Sequence, residues 1–205
     1  MQAGAGLGSG IPDDEYEDAG AKIIDDVDKV WDDAELILKV KEPIEDEYHR
    51  MHEGLTLFTY LHLAADRPLT EELLKRKVTS IAYETVEMDD HSLPLLSPMS
   101  EIAGRLAAQV GANCLMQPAG GNGVLIGGGS GVRNGRVTVL GGGVAGFCAA
   151  RVADGMGADV TIYDVNVARM RYIDEVTGGR IRTKFSSPLA VKEACKESDL
   201  VIGSV

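Results

Sequence analysis

The sequence of 205 residues predicts an α/β fold built on parallel sheets. Short strand-like runs alternate with helix-like runs along the chain, and this alternation is typical of βαβ units. In the second half, runs such as Val137–Leu140 and Leu200–Gly203 are almost continuously apolar, as expected of strands that are buried on both faces.

The composition argues against several classes of partner. Asp and Glu number 32 against 20 Lys and Arg, so the formal net charge is −12, and such a surface repels nucleic acid and anionic membranes. No apolar run approaches the roughly 20 residues of a membrane helix, and the first residues do not resemble a secretory signal. Three widely spaced cysteines without a CxxC motif fit reduced thiols and a cytoplasmic location.

Residues 1–94 are expected to form a partial N-terminal substrate-binding domain of short elements. Pro12 and Asp13 supply a helix start signal, Pro68 opens an amphipathic helix, and Pro43 stops a strand. A short apolar segment occupies residues 55–63. The predicted helices cover residues 13–21, 27–34 and 69–77, and the predicted strands cover residues 22–24, 35–41 and 79–84.

A long helix is expected to lead into the second domain, residues 95–205. Ser97 is the expected N-cap, Pro98 suits the first helical position, and Glu101 favours the positive end of the helix dipole. The helix is expected over residues 98–116. Its predicted buried side consists of Ile102, Leu106, Ala107, Val110 and Leu115.

Two glycine-rich runs could each cradle a phosphate. A dinucleotide site needs a strand, a tight glycine turn and a helix whose N-terminus faces the pyrophosphate. The run Gly127–Gly131 lacks the GxGxxG spacing and starts no helix, so it is interpreted as a flexible connection. The second run follows the strand 137–140 and precedes a small-residue helix, and Gly141, Gly143 and Gly146 take the GxGxxG positions.

The residue that ends the next strand favours one cofactor. Asp164 lies 18 residues after Gly146, near the roughly 20 expected for an acid that binds ribose hydroxyls. A carboxylate repels a 2′-phosphate, so NAD is predicted rather than NADP. The alternatives are that Asp164 is an ordinary turn aspartate, and that the nearby Arg169 either admits NADP or is an exposed helix charge.

The remaining pattern continues the α/β order. Helices are predicted over residues 167–176 and 189–195, and strands over residues 182–185 and 200–203. A complete doubly wound domain needs further βα units after this point. The predicted fold is therefore a truncated Rossmann-type doubly wound parallel sheet with an incomplete α/β catalytic domain before it.

Several stretches closely resemble alanine dehydrogenase, in the family that also contains the α subunit of the proton-translocating transhydrogenase. They are ILKVKEP, LFTYLHLA, SIAYETV, LPLLSPMSEIAGRLAAQVGA and GGGVAG, and the resemblance extends from Gln2 to Val205. It implies a catalytic domain and an NAD-binding Rossmann domain, and reversible NAD-dependent conversion of L-alanine to pyruvate and ammonia. It also implies a cytoplasmic homo-oligomer, usually a hexamer.

The resemblance implies roles for individual residues. Lys41 is the expected substrate-binding lysine and His62 the expected catalytic acid–base. Without the resemblance, Lys41 would be interpreted as a charge that is either solvated or paired with Glu42, and His62 as a core histidine. His49 and His52 are taken as surface residues, and no metal site is predicted. The expected cofactor contacts are Ser100, Gly141, Gly143, Val144, Ala145, Gly146, Asp164, Arg169, Ser186 and Val205.

The sequence also departs from the family pattern. An N-terminal strand and helix with a substrate-binding arginine are missing, as is the second Rossmann half with a catalytic aspartate. GGGSGV stands where the family has GGVPGV. We therefore expect a fragment that is inactive alone. The alternatives are a protein like the transhydrogenase α subunit, which lacks the histidine of YLHLA, and a non-catalytic NAD-binding module.

Overall fold

The computed structural model describes all 205 residues. They form two compact units, Met1–Leu95 and Leu96–Val205. Each unit has its own parallel sheet and its own apolar core. None of the helices combines the length and the apolar character that crossing a lipid bilayer requires.

The first unit is built on a three-stranded parallel sheet in the order β1-β2-β3. Its strands are β1 (Leu36–Leu38), β2 (Thr56–Thr59) and β3 (Thr79–Ala82), and its helices are α1 (Asp13–Asp18), α2 (Val27–Asp32) and α3 (Arg67–Arg76). Short 3₁₀ helices cover Leu7–Ser9, Glu45–Arg50 and Tyr83–Thr85. The strand predicted at 22–24 is wrong, since only an isolated bridge joins Gln2 to Ile24 there.

Helix α3 shows how the sequence builds this unit. The side chain of Asp66 caps the helix by accepting the backbone N–H of Leu69 at 3.0 Å, and Lys77 ends it in the left-handed conformation. Leu69 and Leu73 lie one turn apart, so both face inward. They pack in a core with Trp31, Ile37, Met51, Leu55, Leu57 and Leu61.

The second unit confirms the predicted Rossmann-type arrangement. Its strands are β4 (Arg136–Leu140), β5 (Asp159–Asp164), β6 (Arg182–Phe185) and β7 (Leu200–Gly203). All are parallel, in the order β6-β5-β4-β7. By position in the chain this is the order 3-2-1-4, with which the doubly wound dinucleotide-binding sheet begins.

Four helices pack around this sheet: α4 (Ser97–Cys114), α5 (Val144–Gly155), α6 (Val167–Thr177) and α7 (Pro188–Glu197). The sheet supplies the centre of the core, where Val139 and Ile162 are fully buried. Helices α4 and α5 pack so closely that a Cβ on Gly104 would overlap the carbonyl oxygen of Ala145. Small residues therefore set the distance between these two helices.

The prediction for α4 is wrong in two respects. The helix begins at Ser97, with Leu96 in the N-cap position, so Ser97 is the first helical residue and not the cap. Its buried face consists of Gly104, Ala108, Gly111 and Ala112. Close approach to α5 and β7 admits only small side chains on that face. Of the large residues predicted to be buried, Leu115 is buried, but Ile102, Leu106 and Val110 are exposed.

Candidate functional site

A tight glycine turn, Gly141–Gly146, joins β4 to α5 at the carboxyl end of the sheet. Gly141 has a φ of +94°, a left-handed conformation that favours glycine. Its N–H donates to the carbonyl of Tyr163 at 2.8 Å. From the other side, the hydroxyl of Ser204 donates to the carbonyls of Leu140 at 2.8 Å and Gly141 at 3.0 Å. The neighbouring strands therefore hold the turn in place.

Two other glycines of the turn fit a dinucleotide. A Cβ on Gly146 would overlap the carbonyl oxygen of Gly141, so only glycine allows α5 to start so close to the turn. A Cβ on Gly143 would meet nothing within 4 Å, so this side of the backbone is open. Helix α5 begins at Val144, and the N–H groups of its first turn have no partner within the helix. This arrangement suits a pyrophosphate.

Asp164 and Arg169 bind the two polar backbone groups of Gly142. The Oδ2 of Asp164 accepts the N–H of Gly142 at 2.6 Å, and the Nε of Arg169 donates to its carbonyl at 2.6 Å. The guanidinium of Arg169 lies 5.1 Å from the ring centroid of Phe147 and 4.9 Å from that of Tyr172. Arg169 is therefore not an exposed helix charge.

The other expected cofactor contacts fall around the same edge. Val144 and Ala145 form the first turn of α5. Ser186 follows β6 and donates its N–H to the carbonyl of Asp164 at 2.9 Å. Val205 follows β7 and is exposed beside Gly141. Ser100 lies one turn before Gly104, the residue through which α4 touches the start of α5.

The glycine connection Gly127–Gly131 has a different setting. It forms a turn closed by a bridge between Gly129 and Val132, and a strand follows it instead of a helix. Arg133 anchors the connection through a two-pronged ion pair with Asp199, at 2.6 and 2.8 Å. That guanidinium lowers the pKa of Asp199 from its ordinary 3.8 to about 2, although burial opposes the shift.

In the first unit, three charged or titratable side chains follow the three strands in turn. Lys41 comes after β1, His62 after β2 and Glu84 after β3. Because the strands are parallel and adjacent, their carboxyl ends lie at one edge of the sheet. In parallel α/β sheets this is the edge at which ligands bind.

The two lysines after Leu38 differ in what surrounds them. Lys39 pairs with Glu47 at 2.5 Å and lies over the ring of Trp31. Lys41 is exposed, its ammonium has no ion pair or hydrogen bond within the chain, and its carbonyl accepts the buried hydroxyl of Thr59 at 2.8 Å. The pairing of Lys41 with Glu42, considered from the sequence, is absent. Lys39 is thus a structural residue, whereas Lys41 is held by its backbone and presents a free cation.

His62 is exposed and has a φ of +49°. Its N–H donates to the Oε1 of Glu84 at 2.8 Å, and the N–H of Leu61 donates to the same oxygen at 3.1 Å. Burial alone would raise the pKa of Glu84, but the backbone N–H groups outweigh burial and lower that pKa below its ordinary value. Glu84 is therefore a carboxylate at neutral pH, and His62 is not a core histidine.

Three residues of these two edges were not predicted from the sequence. Glu84 and Ser204 act through backbone bonds to distant segments, and their identities alone do not reveal such bonds. Glu42 has a buried Oε2 without a hydrogen-bond partner in the chain. Its position directly after Lys41 was the only available signal.

Other features of the structure do not point to a site. A cavity of about 630 Å³ lies around the amino end of β6, with Asp174, Gly178 and Lys184 among its lining residues. No group of three or more His, Cys, Asp or Glu side chains could hold a metal ion. The carboxyl edge of each unit's sheet is therefore a candidate site.

The parallel sheet, the glycine turn and the acid that ends β5 define a nucleotide-binding α/β protein of the Rossmann class. Family models narrow this class. The model described as "Alanine dehydrogenase/PNT, N-terminal domain" matches residues 1–103, and the model described as "Alanine dehydrogenase/PNT, C-terminal domain" matches residues 107–205. The chain belongs to the alanine dehydrogenase/PNT family.

Individual relatives agree with this assignment. The chain is 58% identical over 205 residues to alanine dehydrogenase of Mycolicibacterium smegmatis and 55% identical to alanine dehydrogenase 2 of Staphylococcus aureus. In each case the match covers 100% of this chain and 55% of the relative. The chain thus spans about half the length of the curated relatives it matches.

Solved structures show the same relationship. An L-alanine dehydrogenase superposes with a TM-score of 0.83 and 48% identity, over 98% of this chain and 55% of that one. The transhydrogenase from Sinorhizobium meliloti superposes with a TM-score of 0.70 and 28% identity, over 99% of this chain and 59% of that one.

Proposed function

We propose that the protein carrying this sequence is an NAD-dependent L-alanine dehydrogenase, which catalyses the reversible oxidative deamination of L-alanine to pyruvate and ammonia. One observation carries the proposal: Lys41 and His62 follow adjacent strands at one sheet edge, and neither is used for folding contacts by its side chain. The dinucleotide turn of the second unit supplies the other requirement of a dehydrogenase.

The two residues have complementary chemistry. The free ammonium of Lys41 suits the carboxylate and carbonyl oxygen of a small 2-oxo acid, because it is a compact, strongly charged donor. The imidazole of His62 can both accept and donate a proton, so it would serve as acid and base while the substrate passes between amine, imine, carbinolamine and ketone. The nicotinamide, when bound, accepts or donates the hydride at the substrate carbon.

The proposed cofactor is NAD. The backbone around Gly143 and the first turn of α5 would hold the pyrophosphate, and Asp164 would accept the ribose hydroxyls with its remaining lone pairs. Its charge disfavours a 2′-phosphate. Around them, the proposed contacts are Ser100, Gly141, Val144, Ala145, Gly146, Arg169, Ser186 and Val205.

The setting of the protein is part of the proposal. Three free cysteines fit a reducing compartment, and we place the protein in the cytoplasm. The family resemblance supports a homo-oligomer, with a hexamer as the expected assembly. Sedimentation velocity of the longest native chain that carries this sequence measures that state.

Replacement of His62 tests the proposed activity. In the longest native chain that carries this sequence, His62→Ala should lower pyruvate- and ammonia-dependent NADH oxidation by about a hundredfold or more, because an acid–base group contributes 10²- to 10⁴-fold. NADH binding should persist. His49→Ala, at another exposed histidine of the first unit, should leave turnover unchanged. Hydride exchange between two nicotinamide nucleotides without an amino acid would instead support a transhydrogenase.

A further inference from the structure

His62 has a backbone conformation that a side chain of its size normally avoids. Two other non-glycine residues have a positive φ: Lys77, which ends helix α3, and His91, whose N–H closes a turn on Met88. His62 ends no helix and lies in the loop after β2, which ends at Thr59. In such a place a left-handed histidine persists only when its surroundings hold it, and strain of this kind is typical of functional sites.

The carboxylate of Glu84 supplies that hold. Its Oε1 accepts the N–H of His62 at 2.8 Å and the N–H of Leu61 at 3.1 Å, and its Oε2 lies 3.3 Å from the N–H of Leu61. Two successive N–H groups that converge on one anion form a nest, and a left-handed residue is part of that geometry. The bonds are strong because the acceptor is charged.

The position of Glu84 is itself fixed by aromatic packing. Tyr83 precedes it in the short helix after β3 and makes edge-to-face contacts with Phe58, at 4.3 Å between ring centroids, and with Tyr60, at 5.1 Å. Phe58 and Tyr60 lie at the carboxyl end of β2. The ring of Tyr83 therefore packs against the end of β2, and the carboxylate of the next residue, Glu84, binds the loop after β2.

We propose that Glu84 is a positioning residue, which fixes the backbone of His62 so that the imidazole meets a substrate held at Lys41. This inference rests on the catalytic role proposed for His62. The carboxylate binds main-chain N–H groups, so it sets the direction of the His62 side chain without contact with the reacting atoms. Lys41 follows β1, which pairs in parallel with β2, so Lys41 and His62 lie at the same edge of the sheet.

The first test uses this chain and needs no activity. Glu84→Met removes the acceptor at nearly constant volume, whereas Glu84→Gln keeps one acceptor oxygen. Amide hydrogen exchange at Leu61 and His62 should accelerate about tenfold or more with Met and less with Gln, as expected for loss of a bond to a charged group. Glu47→Gln is the control, because Glu47 also accepts a backbone N–H, that of Ile44, and a lysine ammonium. It should leave both amides unchanged.

The second test separates positioning from stability. In the longest native chain that carries this sequence, Glu84→Met should lower kcat about a hundredfold, the cost of a displaced catalytic group, with little change in KM for NADH. Glu84→Gln should have a kcat between those of Glu84→Met and the unsubstituted protein. Glu47→Gln should keep the kcat of the unsubstituted protein. If Glu84→Met does not fold, Glu84→Gln alone should still show faster exchange at His62 and a lower kcat.

Unchanged exchange at both amides in a folded Glu84 variant would overturn the proposal, as would equal losses of kcat in the Glu84 and Glu47 variants. Failure of the proposed function itself would give a third, distinguishable result. In that case the unsubstituted protein shows no turnover, while exchange at His62 still depends on Glu84. The catalytic part of the inference then fails together with the function on which it rests.

Discussion

The two units place their candidate groups at the same kind of edge but build them from different materials. In the second unit, the proposed site at Gly141–Gly146 is made of backbone N–H groups and glycine positions, which hydrogen bonds from Asp164 and Ser204 hold in place. In the first unit, the proposed site consists of the side chains of Lys41 and His62, which lie in loops after β1 and β2. A site made of backbone groups can be recognised from the spacing of residues in the sequence. A site made of side chains depends on contacts between residues that are far apart in the sequence.

The largest expected effect comes from Gly146. Gly146→Ala would place a Cβ against the carbonyl of Gly141, so we expect NADH binding to fall by about a hundredfold or more and the second unit to lose on the order of 3 kcal/mol of stability. Calorimetric titration with NADH and urea unfolding measure both effects. Gly155→Ala, in open space at the end of the same helix, should stabilise by about 0.5 kcal/mol. Equal outcomes for the two variants would refute a backbone-built site.

The lysine pair tests the side-chain site. Lys41→Met should weaken pyruvate binding by about tenfold or more, because a charge-assisted contact is lost, without a change in stability. Lys39→Met should leave pyruvate binding intact and cost less than about 1 kcal/mol of unfolding free energy, through its pair with Glu47. Titration calorimetry and urea unfolding compare the two variants. If Lys39→Met weakened pyruvate binding and Lys41→Met did not, the substrate would bind Lys39 and the assignment to Lys41 would be wrong.

Asp164 has two proposed roles, because its carboxylate accepts the N–H of Gly142 and is the proposed acceptor of the ribose hydroxyls. Asp164→Asn keeps one acceptor oxygen but removes the charge, so the preference for NADH over NADPH should fall by about tenfold. Competition binding of the two nucleotides measures the ratio. Asp174→Asn removes the same charge from helix α6 and should leave the ratio unchanged. An unaltered ratio in Asp164→Asn would mean that its carboxylate only braces the turn.

The smallest effect concerns the glycine connection and depends on pH. The folded-state pKa of Asp199, about 2, lies below its ordinary 3.8, so its contribution is present above about pH 4 and is lost as pH falls toward 2. After allowance for the exposure of Arg133, we expect about 1 to 2 kcal/mol. Asp199→Asn should remove this amount at pH 7 and flatten the acid limb of stability. Urea unfolding at pH 7 and pH 2.5 checks it, with the exposed Asp159→Asn as control. A steep acid limb that survives in Asp199→Asn would assign it to other carboxyls.

The same contrast explains what the sequence could predict. Strand β4, the glycine turn and the acid that ends β5 were found because their order is local and their spacing is fixed. The buried face of α4 was predicted incorrectly, since periodicity marks Ile102, Leu106 and Val110 as core, whereas contact with α5 requires glycine and alanine. Local patterns do not show which partner a helix has.

The first unit shows the other limit. Lys41 and His62 were identified only through the resemblance, because a lone lysine or histidine has no distinctive spacing. Glu84 lies 22 residues from His62 along the chain, and its bond to that backbone depends on the pairing of β2 with β3. The strands themselves were shorter than predicted, as in β1, where only Leu36–Leu38 pairs with its neighbour.

The buried indole below Lys39 has a consequence for spectroscopy. Trp31 is the only tryptophan in the sequence and is 4% exposed in the core of the first unit. Ultraviolet excitation selective for indole therefore places the donor at one known position. Reduced nicotinamide absorbs where indole emits, so the two form a donor–acceptor pair for resonance energy transfer. The native chain thus carries a single intrinsic fluorescent donor at a known position in the first unit, with no dye to attach.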